Sequence, residues 1–577
     1  MATETRVLAQ EAEPSGQKRT IARLWQDAIG LRRPGPAYLV QEGERWREVS
    51  WEEAATAVDE LAHGLLALGV RKGDAFAILG STQLEWVLFD FALGLVGAVG
   101  APIYMNSSPR DCAYVIEHSE AVGALCEDEA QRAKLDGIQV DHVLTFADLD
   151  DLRARGREHA AQHPTAVDDA AAAIREDDLF TYIYTSGTTG PPKACMISHR
   201  NYYEMADKVR QIEDFTVYDD VMLLYLPLAH NFGRLMHLHS PHVGYTLAFC
   251  PDPYAVAEAL PAVRPTVFPS VPRVYEKIHT GVTAKFAEAT GIKRRLIDWA
   301  LRVGREVSRL RQEGRSVPPL LAAKHRLADR LVYSKVKDRL GGRIRICVSG
   351  GAPLAKEIIE FFHALDILIL EGYGLTECTT AATVNRPTRF RFGTVGPPLP
   401  GVELRIADDG EVLIKTETIF AGYFKEQEAT AEVLPGDGWL RSGDVGELDE
   451  DGFLTITDRK KDILVTAGGK NVAPQNLENA LKMHPIVSQA LVVGDRRPYV
   501  AALITLTEET EREGVEERMQ VIVDEVNRDL SRYEQIKRFT ILPRDFSAEE
   551  GEVTPTLKLK RRVCQEHFAA EIEGLYS

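Results

Sequence analysis

The sequence predicts an α/β fold, split between a large N-terminal part made of several subdomains and a small α+β unit at the C-terminus. Three observations lead there. Helical patterns such as Trp51–Leu68 alternate with short apolar runs such as Ala75–Leu79 over residues 50–120, as expected of helices layered on a sheet. The chain has 577 residues, more than one hydrophobic core can organise. Beyond Ile463, strands and helices alternate over roughly 110 residues, enough for a small separate domain.

Composition narrows the class. A hydrophobic content of 45% with 27% charged residues suits a soluble globular enzyme, and a net charge of -18 argues against nucleic acid as a partner. Seven cysteines stand at 112, 126, 195, 250, 347, 378 and 564, an odd number with no Cys-x-x-Cys pair, which points to neither a disulfide framework nor a zinc site. Residues 1–19 read as a polar, disordered arm without the apolar core of a secretory signal, so a cytoplasmic location is expected. Trp86–Met105 has the length of a membrane span. It contains Asp90, three glycines and Pro102, and reads instead as a buried helix running into a core strand. The acidic, alanine-rich stretch Asp150–Asp178 shows little apolar periodicity and is expected to be a surface connection.

That connection leads into the most informative stretch. Leu179–Tyr184 reads as a strand, and it delivers a loop holding Thr185, Ser186, Gly187, Thr188, Thr189 and Gly190, closed by Pro191, Pro192 and Lys193. Glycines and small hydroxyls let backbone N–H and side-chain O–H groups surround a polyphosphate, and the lysine adds a mobile positive charge. The spacing differs from the Walker loop, whose Gly-Lys-Ser/Thr opens directly into a helix. Here Ala194–Ile197 reads as a second short strand, followed by a helix capped by Ser198.

Further along, Tyr225–His230 is an apolar run ending in a histidine, a setting in which most histidines are satisfied core residues. Ile344–Val348 reads as a strand delivering a glycine turn, Ser349, Gly350, Gly351, Ala352 and Pro353, where backbone can approach a flat ligand. Ile367–Leu370 delivers Glu371 to Glu377. Within it Tyr373 offers a face for stacking on a purine, Thr376 a donor to a phosphate, and Glu377 a hard oxygen suited to Mg2+. From Arg391 a β-rich subdomain is expected, with strands at Gly396–Pro400 and Glu411–Lys415, ending near Asp444. A charge cluster at Thr457–Asp462 suits an interdomain hinge, and a flexible, basic loop follows at Gly468–Pro474. Near the end stands a basic run, Thr554–Arg561.

Residues 293–345 stand apart, with sixteen Lys and Arg against five Asp and Glu and apolar residues at helical spacings. Two readings stay open: a solvated helical hairpin with a basic face, and a basic amphipathic surface that meets anionic lipid.

These motifs, in this order over nearly the whole chain, resemble the adenylate-forming enzymes, which include acyl-CoA synthetases, luciferases and peptide-synthetase adenylation domains. The basic segment and the Leu-Lys-Leu-Lys run ending at Lys560 look most like the long-chain fatty acid–CoA ligases. The resemblance implies an N-terminal adenylating domain over residues 20–457, a hinge at 458–461 and a mobile C-terminal lid over 462–577. It implies ATP, Mg2+ and coenzyme A, with a fatty acid as the substrate. Thr185 to Thr189 and Lys193 would hold the ATP phosphates, Gly350 to Pro353 with Tyr373 and Gly374 the adenine, and Thr376 the α-phosphate. Glu377 would bind Mg2+, Asp444 and Arg459 the ribose. Lys461 would be the pivot, Gly468 and Gly469 would meet the CoA arm, and His230 would lie beside the acyl carboxylate, with Phe232 or Arg234 lining the acyl tunnel. Lys558 matches the catalytic lysine. The general pattern puts a glycine before that lysine; Leu557 stands here, and Lys560 is a neighbouring candidate. A fatty acyl-AMP ligase and an aryl or short-chain acid–CoA ligase are the nearest alternatives.

Overall fold

The computed structural model describes residues 18–43, 45–185, 191–508, 510–528, 530–547, 550–554 and 559–577. Two large sheets form the body. One has six strands in the order 142–145, 123–126, 75–79, 99–103, 179–185 and 193–198, parallel except for the last pair. The other has eight strands, its centre formed by parallel Thr246–Phe249, Val221–Leu224, Val267–Ser270, Ile346–Ser349 and Ile369–Tyr373. A four-stranded antiparallel sheet from Glu403 to Arg459 follows, then a three-stranded sheet of Val487–Val493, Val500–Leu506 and Ile536–Ile541 with its own core. The α/β class and the α+β terminal unit are both present.

Trp86–Met105 is a buried helix, Leu84–Val96, turning through Gly97 into the strand Val99–Ile103. Among the described residues no helix is long and apolar enough to cross a membrane. Asp90 on that helix is fully buried because it has a partner: Arg234, also 0% exposed, pairs its Nη2 with Asp90 Oδ1 and donates from Nη1 to Thr181 Oγ1 at 2.7 Å. The guanidinium lies over the rings of Phe180 at 4.8 Å and Trp86 at 5.2 Å. Burial keeps His237 below its ordinary pKa, so its neutral ring can donate from Nε2 to Asp90 Oδ2 at 3.2 Å. Arg234 is therefore a clamp between helix and sheet and does not line an acyl tunnel, which corrects that expectation.

Two further expectations change. Asp150–Asp178 is mostly helical, as Leu149–Gln162 and Ala166–Ala173. The first helix packs so closely on Trp51–Ala67 that a Cβ on Gly156 would stand 1.8 Å from the Glu60 carbonyl oxygen. Glycine contact and the Glu60 ion pairs with Arg153 (2.8 Å) and Arg157 (3.1 Å) replace the apolar stripe that periodicity looks for. Gly396–Pro400 is not a strand, because Pro397, Pro398 and Pro400 have no N–H to give a ladder. Residues 1–17 of the expected arm lie outside the described residues, while Arg19 is anchored by Glu176 at 3.0 Å and Glu204 at 2.7 Å.

Removing one member of a buried pair strands the other. Asp90→Ala should destabilise the N-terminal body by about 3–5 kcal/mol, read as a lower midpoint in chemical unfolding followed by tryptophan fluorescence. Asp90→Leu with Arg234→Met should recover at least half of that loss; a single substitution costing no more than the double would show that the charges are not coupled.

Candidate active site

The phosphate-loop strand Leu179–Thr185 runs antiparallel to Lys193–Ser198, and Thr185 pairs with Lys193 across the mouth of the loop. Ser186, Gly187, Thr188 and Thr189 lie outside the described residues. The far edge of Lys193–Ser198 is covered from the β-rich subdomain: Met196 N–H donates to Gly422 O at 3.0 Å, and Phe424 N–H to Ala194 O at 2.9 Å. This pairing sets Tyr423 against the lysine, with Lys193 Nζ 5.1 Å from the ring centroid, within cation–π range. The Tyr423 hydroxyl donates to Glu377 Oε1 at 2.6 Å. Burial, reinforced by the Glu377 carboxylate, holds the phenol well above its ordinary pKa, so it stays a donor. Tyr423 thus joins Lys193 to Glu377, and the sequence reading missed it. Its signal is the apolar run Ile419–Phe424, which reads as an edge strand but says nothing locally about Glu377.

Glu377 is also fixed through its backbone, its carbonyl accepting from Phe420 N–H at 2.9 Å. Two and three residues on, Thr379 and Thr380 have φ of 58 and 95, a region β-branched residues avoid. Thr379 Oγ1 holds the Thr418 carbonyl at 2.6 Å, and Thr380 Oγ1 holds that of Asn231 at 3.2 Å. Strain of this kind collects at functional sites. His230 caps the helix Asn231–Val243, its Nδ1 accepting from Phe232 N–H at 3.2 Å. Asn231 Nδ2 donates to the Thr376 carbonyl at 3.4 Å, which ties the His230 turn to the segment carrying Thr376 and Glu377.

A second cluster forms where the neighbouring strands Ile346–Ser349 and Ile369–Tyr373 end. Gly351, Ala352 and Pro353 are exposed, Gly351 has φ of 86, and Gly350 backs onto Phe232, whose ring would lie 3.3 Å from a Cβ there. At the foot of this turn the Ser349 hydroxyl is buried with no hydrogen-bond partner among the described residues. Gly374 must be glycine, since a Cβ would stand 2.0 Å from the Thr380 carbonyl oxygen. Tyr373 donates from its hydroxyl to Asp444 Oδ2 at 2.7 Å, and Arg459 Nε is 3.4 Å from Asp444 Oδ1, the two residues facing each other in adjacent strands. Beneath the turn, burial pushes the Glu371 carboxyl up to about 8, against the pull of the Leu354 N–H that it accepts at 3.2 Å.

The remaining expected residues stand elsewhere. Lys461 is exposed in a turn closed by the amides of Asp462 and Ile463 on the Arg459 carbonyl. Gly468 and Gly469 are exposed between the short strands Leu464–Val465 and Asn471–Val472. Among the described residues no hydrogen bond or ion pair joins Lys461, Gly468 or Gly469 to either cluster. Lys558 lies outside the described residues; its neighbours Val553 and Leu559 form an antiparallel bridge. Asp458 links the β-rich sheet to the C-terminal unit, accepting at Oδ2 from Gln475 N–H at 3.2 Å in the first turn of Pro474–Lys482, and burial pushes its carboxyl up to about 6. Arg273 Nη2 adds a bond to Ser488 Oγ at 3.2 Å.

No group of three or more His, Cys, Asp or Glu that could hold a metal occurs among the described residues. A single carboxylate at Glu377 is the donor set suited to Mg2+, which keeps several waters and binds largely through substrate phosphates. Together the two clusters offer a cation and a hard carboxylate beside a phosphate-type loop, and a ribose-type Asp–Arg pair beside an exposed glycine turn.

The model of the AMP-binding enzyme family matches residues 27–424, and that of the AMP-binding enzyme C-terminal domain matches 461–577. The chain is 40% identical over 570 residues to a long-chain-fatty-acid--CoA ligase, FadD15 of Mycobacterium bovis, covering 92% of this chain and 93% of that one. It is 30% identical over 620 residues to the long-chain-fatty-acid--CoA ligase ACSBG2 of Xenopus laevis, covering 96% and 84%. The fold matches an anthranilate CoA ligase, AuaEII, in complex with anthranoyl-AMP, with a TM-score of 0.74 at 21% identity over 96% of this chain and 98% of that one. It also matches the adenylation domain of a carboxylate reductase from Mycobacterium chelonae, with a TM-score of 0.77 at 24% identity over 98% and 92%. With both of its parts matched and relatives spanning nearly its full length, the chain belongs to the AMP-binding enzyme family.

Proposed function

We propose that the chain is an AMP-forming long-chain fatty acid–CoA ligase, and that residues 293–345 bring it against an anionic membrane from which such acids are drawn. The observation that carries the catalytic reading is the convergence of Lys193, Tyr423 and Glu377 at the mouth of the phosphate loop, beside the His230 turn. A carboxylate resists attack by a thiol because its oxygen is a poor leaving group. Joined to the α-phosphorus of ATP, with the bond to pyrophosphate broken, it becomes an acyl-adenylate whose leaving group is AMP. The CoA sulfur then bonds to the acyl carbon, the bond to AMP breaks, and the thiol proton leaves to solvent. The protein's work in the first step is to place two anions together and neutralise their charge. Lys193 supplies a mobile cation. Glu377 would hold Mg2+, which supplies further neutralisation when bound. Tyr373, Asp444 and Arg459 fix the nucleoside, and Lys558 arrives from the lid. With CoA present, AMP release should be faster for an acid of twelve or more carbons than for acetate or benzoate. Pyrophosphate release that leaves acyl-AMP as the final product, with no CoA consumed and no AMP freed, would make the chain an acyl-AMP ligase, and faster turnover of benzoate would reassign the substrate.

Glu377→Ala and Lys193→Ala should each lower pyrophosphate exchange without changing the circular dichroism spectrum. Tyr423→Phe removes only the hydroxyl, and it should raise the Mg2+ concentration for half-maximal exchange by about tenfold while leaving the ATP-saturated, Mg2+-saturated rate largely intact. Unchanged Mg2+ titrations of both Glu377→Ala and Tyr423→Phe would remove Glu377 from the metal site.

The two half-reactions should separate on either side of the hinge. Lys558→Ala should slow acyl-AMP formation by about a hundredfold or more, yet still convert supplied acyl-AMP and CoA. Lys461→Pro fixes φ at the pivot at no cost in hydrogen bonds to the turn, since the Lys461 amide closes neither of its bonds. It should spare adenylation and block thioester formation. Equal loss of both half-reactions in folded Lys558→Ala protein would exclude a lid that alternates between two tasks.

A further inference from the structure

The basic segment folds as a helical hairpin inserted between two neighbouring strands. It leaves the sheet after Val267–Ser270 and returns at Ile346–Ser349, which pair directly in the sheet and end at the nucleotide turn. Its first long helix, Gly291–Gln312, buries Ile297, Val303 and Val307. Its second arm, Pro319–Ala328 continued through Asp329–Lys337, buries Leu321, His325, Val332 and Val336.

The other side of the second arm has no such cover. Leu320 is 71% exposed, Leu327 50% and Leu331 37%. Spaced seven and four residues apart, they form one stripe. Lys324 and Lys335 follow Leu320 and Leu331 by one helical turn each, and Arg326 and Arg330 lie to the other side. All four cations are exposed, and none forms an ion pair among the described residues. Of the segment's five acids, Asp298, Glu313 and Asp329 are taken up in pairs with Arg294, Arg309 and Lys337, which leaves Glu306 and Asp338 exposed against the four cations. The result is an apolar stripe edged by an excess of cations, on a chain whose net charge is -18. A phosphodiester backbone would use the cations and leave the leucines in water. An anionic bilayer uses both, the leucines entering the acyl boundary and the cations meeting lipid phosphates.

We infer that the Leu320–Leu327–Leu331 face is the membrane-docking surface of this enzyme, lying flat on an anionic leaflet with Lys324, Arg326, Arg330 and Lys335 at headgroup level. This rests on the membrane contact proposed above for residues 293–345 and names the face that makes it.

The test is co-sedimentation of the full chain with vesicles of phosphatidylcholine, or of phosphatidylcholine with phosphatidylglycerol, at low and high salt. Wild type should bind only the anionic vesicles, and salt should weaken binding. Leu320→Ser with Leu327→Ser and Leu331→Ser should weaken it by about tenfold, and Lys324→Gln with Arg330→Gln and Lys335→Gln should abolish it. Both variants change exposed side chains outside the nucleotide site, so both should keep wild-type pyrophosphate exchange with a soluble medium-chain acid, which confirms folding. If the leucine variant binds like wild type while the glutamine variant does not, the face is overturned and the membrane contact stands as purely electrostatic. If wild type binds neither vesicle, both fall. If the leucine variant instead loses self-association seen in wild type by sedimentation velocity, the stripe is an interface between copies, and the docking surface is overturned.

Discussion

The arrangement of the site depends on a salt bridge that is wholly buried. Arg234 sits one turn inside the helix whose first residue, Asn231, holds Thr376, and its guanidinium is bound to Asp90 on a helix of the other sheet and to Thr181 on the phosphate-loop strand. One buried cation thereby sets three elements relative to each other: the helix that begins at His230, the strand that delivers the phosphate loop, and the layer between the sheets. Such a pair gives little net stability beyond that of an apolar replacement, because desolvation offsets most of the attraction. It does give geometry. A helix held by a bidentate cation inside its first turns cannot slide along its axis without stranding a charge, so the His230 turn keeps its position beside Thr376 and Glu377.

Much of this was legible in the chain. Strands with one apolar run and a glycine turn, such as Leu179–Tyr184 and Ile346–Ser349, announced themselves because burial on both faces makes a continuous apolar pattern. Ser198 was readable as a cap because capping is local: its hydroxyl accepts from Asn201 N–H three residues on, at 3.2 Å. The helix Leu149–Gln162 was not readable, since its contact is glycine against backbone and its anchors are arginines on Glu60. The meaning of Asp90 was half visible, as a charge that ruled out a membrane span. Its partner, 144 residues away, could not be seen.

The candidate site divides in the same way. Lys193 and Tyr373 stand at strand ends, Asp444 within a strand and Glu377 in the short turn that follows Tyr373, so each is aimed by a short, local element, and local sequence points to them. Tyr423 belongs to no such element. It is placed by pairing between the segment around Gly422 and a strand from a different subdomain, a fact of tertiary register. The Thr379–Thr380 backbone is similar: two threonines in a left-handed conformation are held by carbonyls of Thr418 and Asn231, and nothing in the local sequence foretells it.

The covered edge of Lys193–Ser198 has a consequence for how the chain is made. Until residues 421–424 emerge from the ribosome, that strand presents unpaired N–H and C=O groups to solvent. The wait is long, since the nearby bond from Asn201 to the Ile419 carbonyl closes a separation of 218 residues. An open edge of this kind pairs readily with other chains. Closing so long a loop is also slow, because its entropy is lost before the contacts that repay it form. The Lys193–Ser198 strand and the Gly422–Phe424 segment that covers its edge are therefore joined late in biosynthesis. Sequence changes around Gly422 should act first on the yield of soluble protein, through nascent chains that meet a neighbour before they meet their own subdomain.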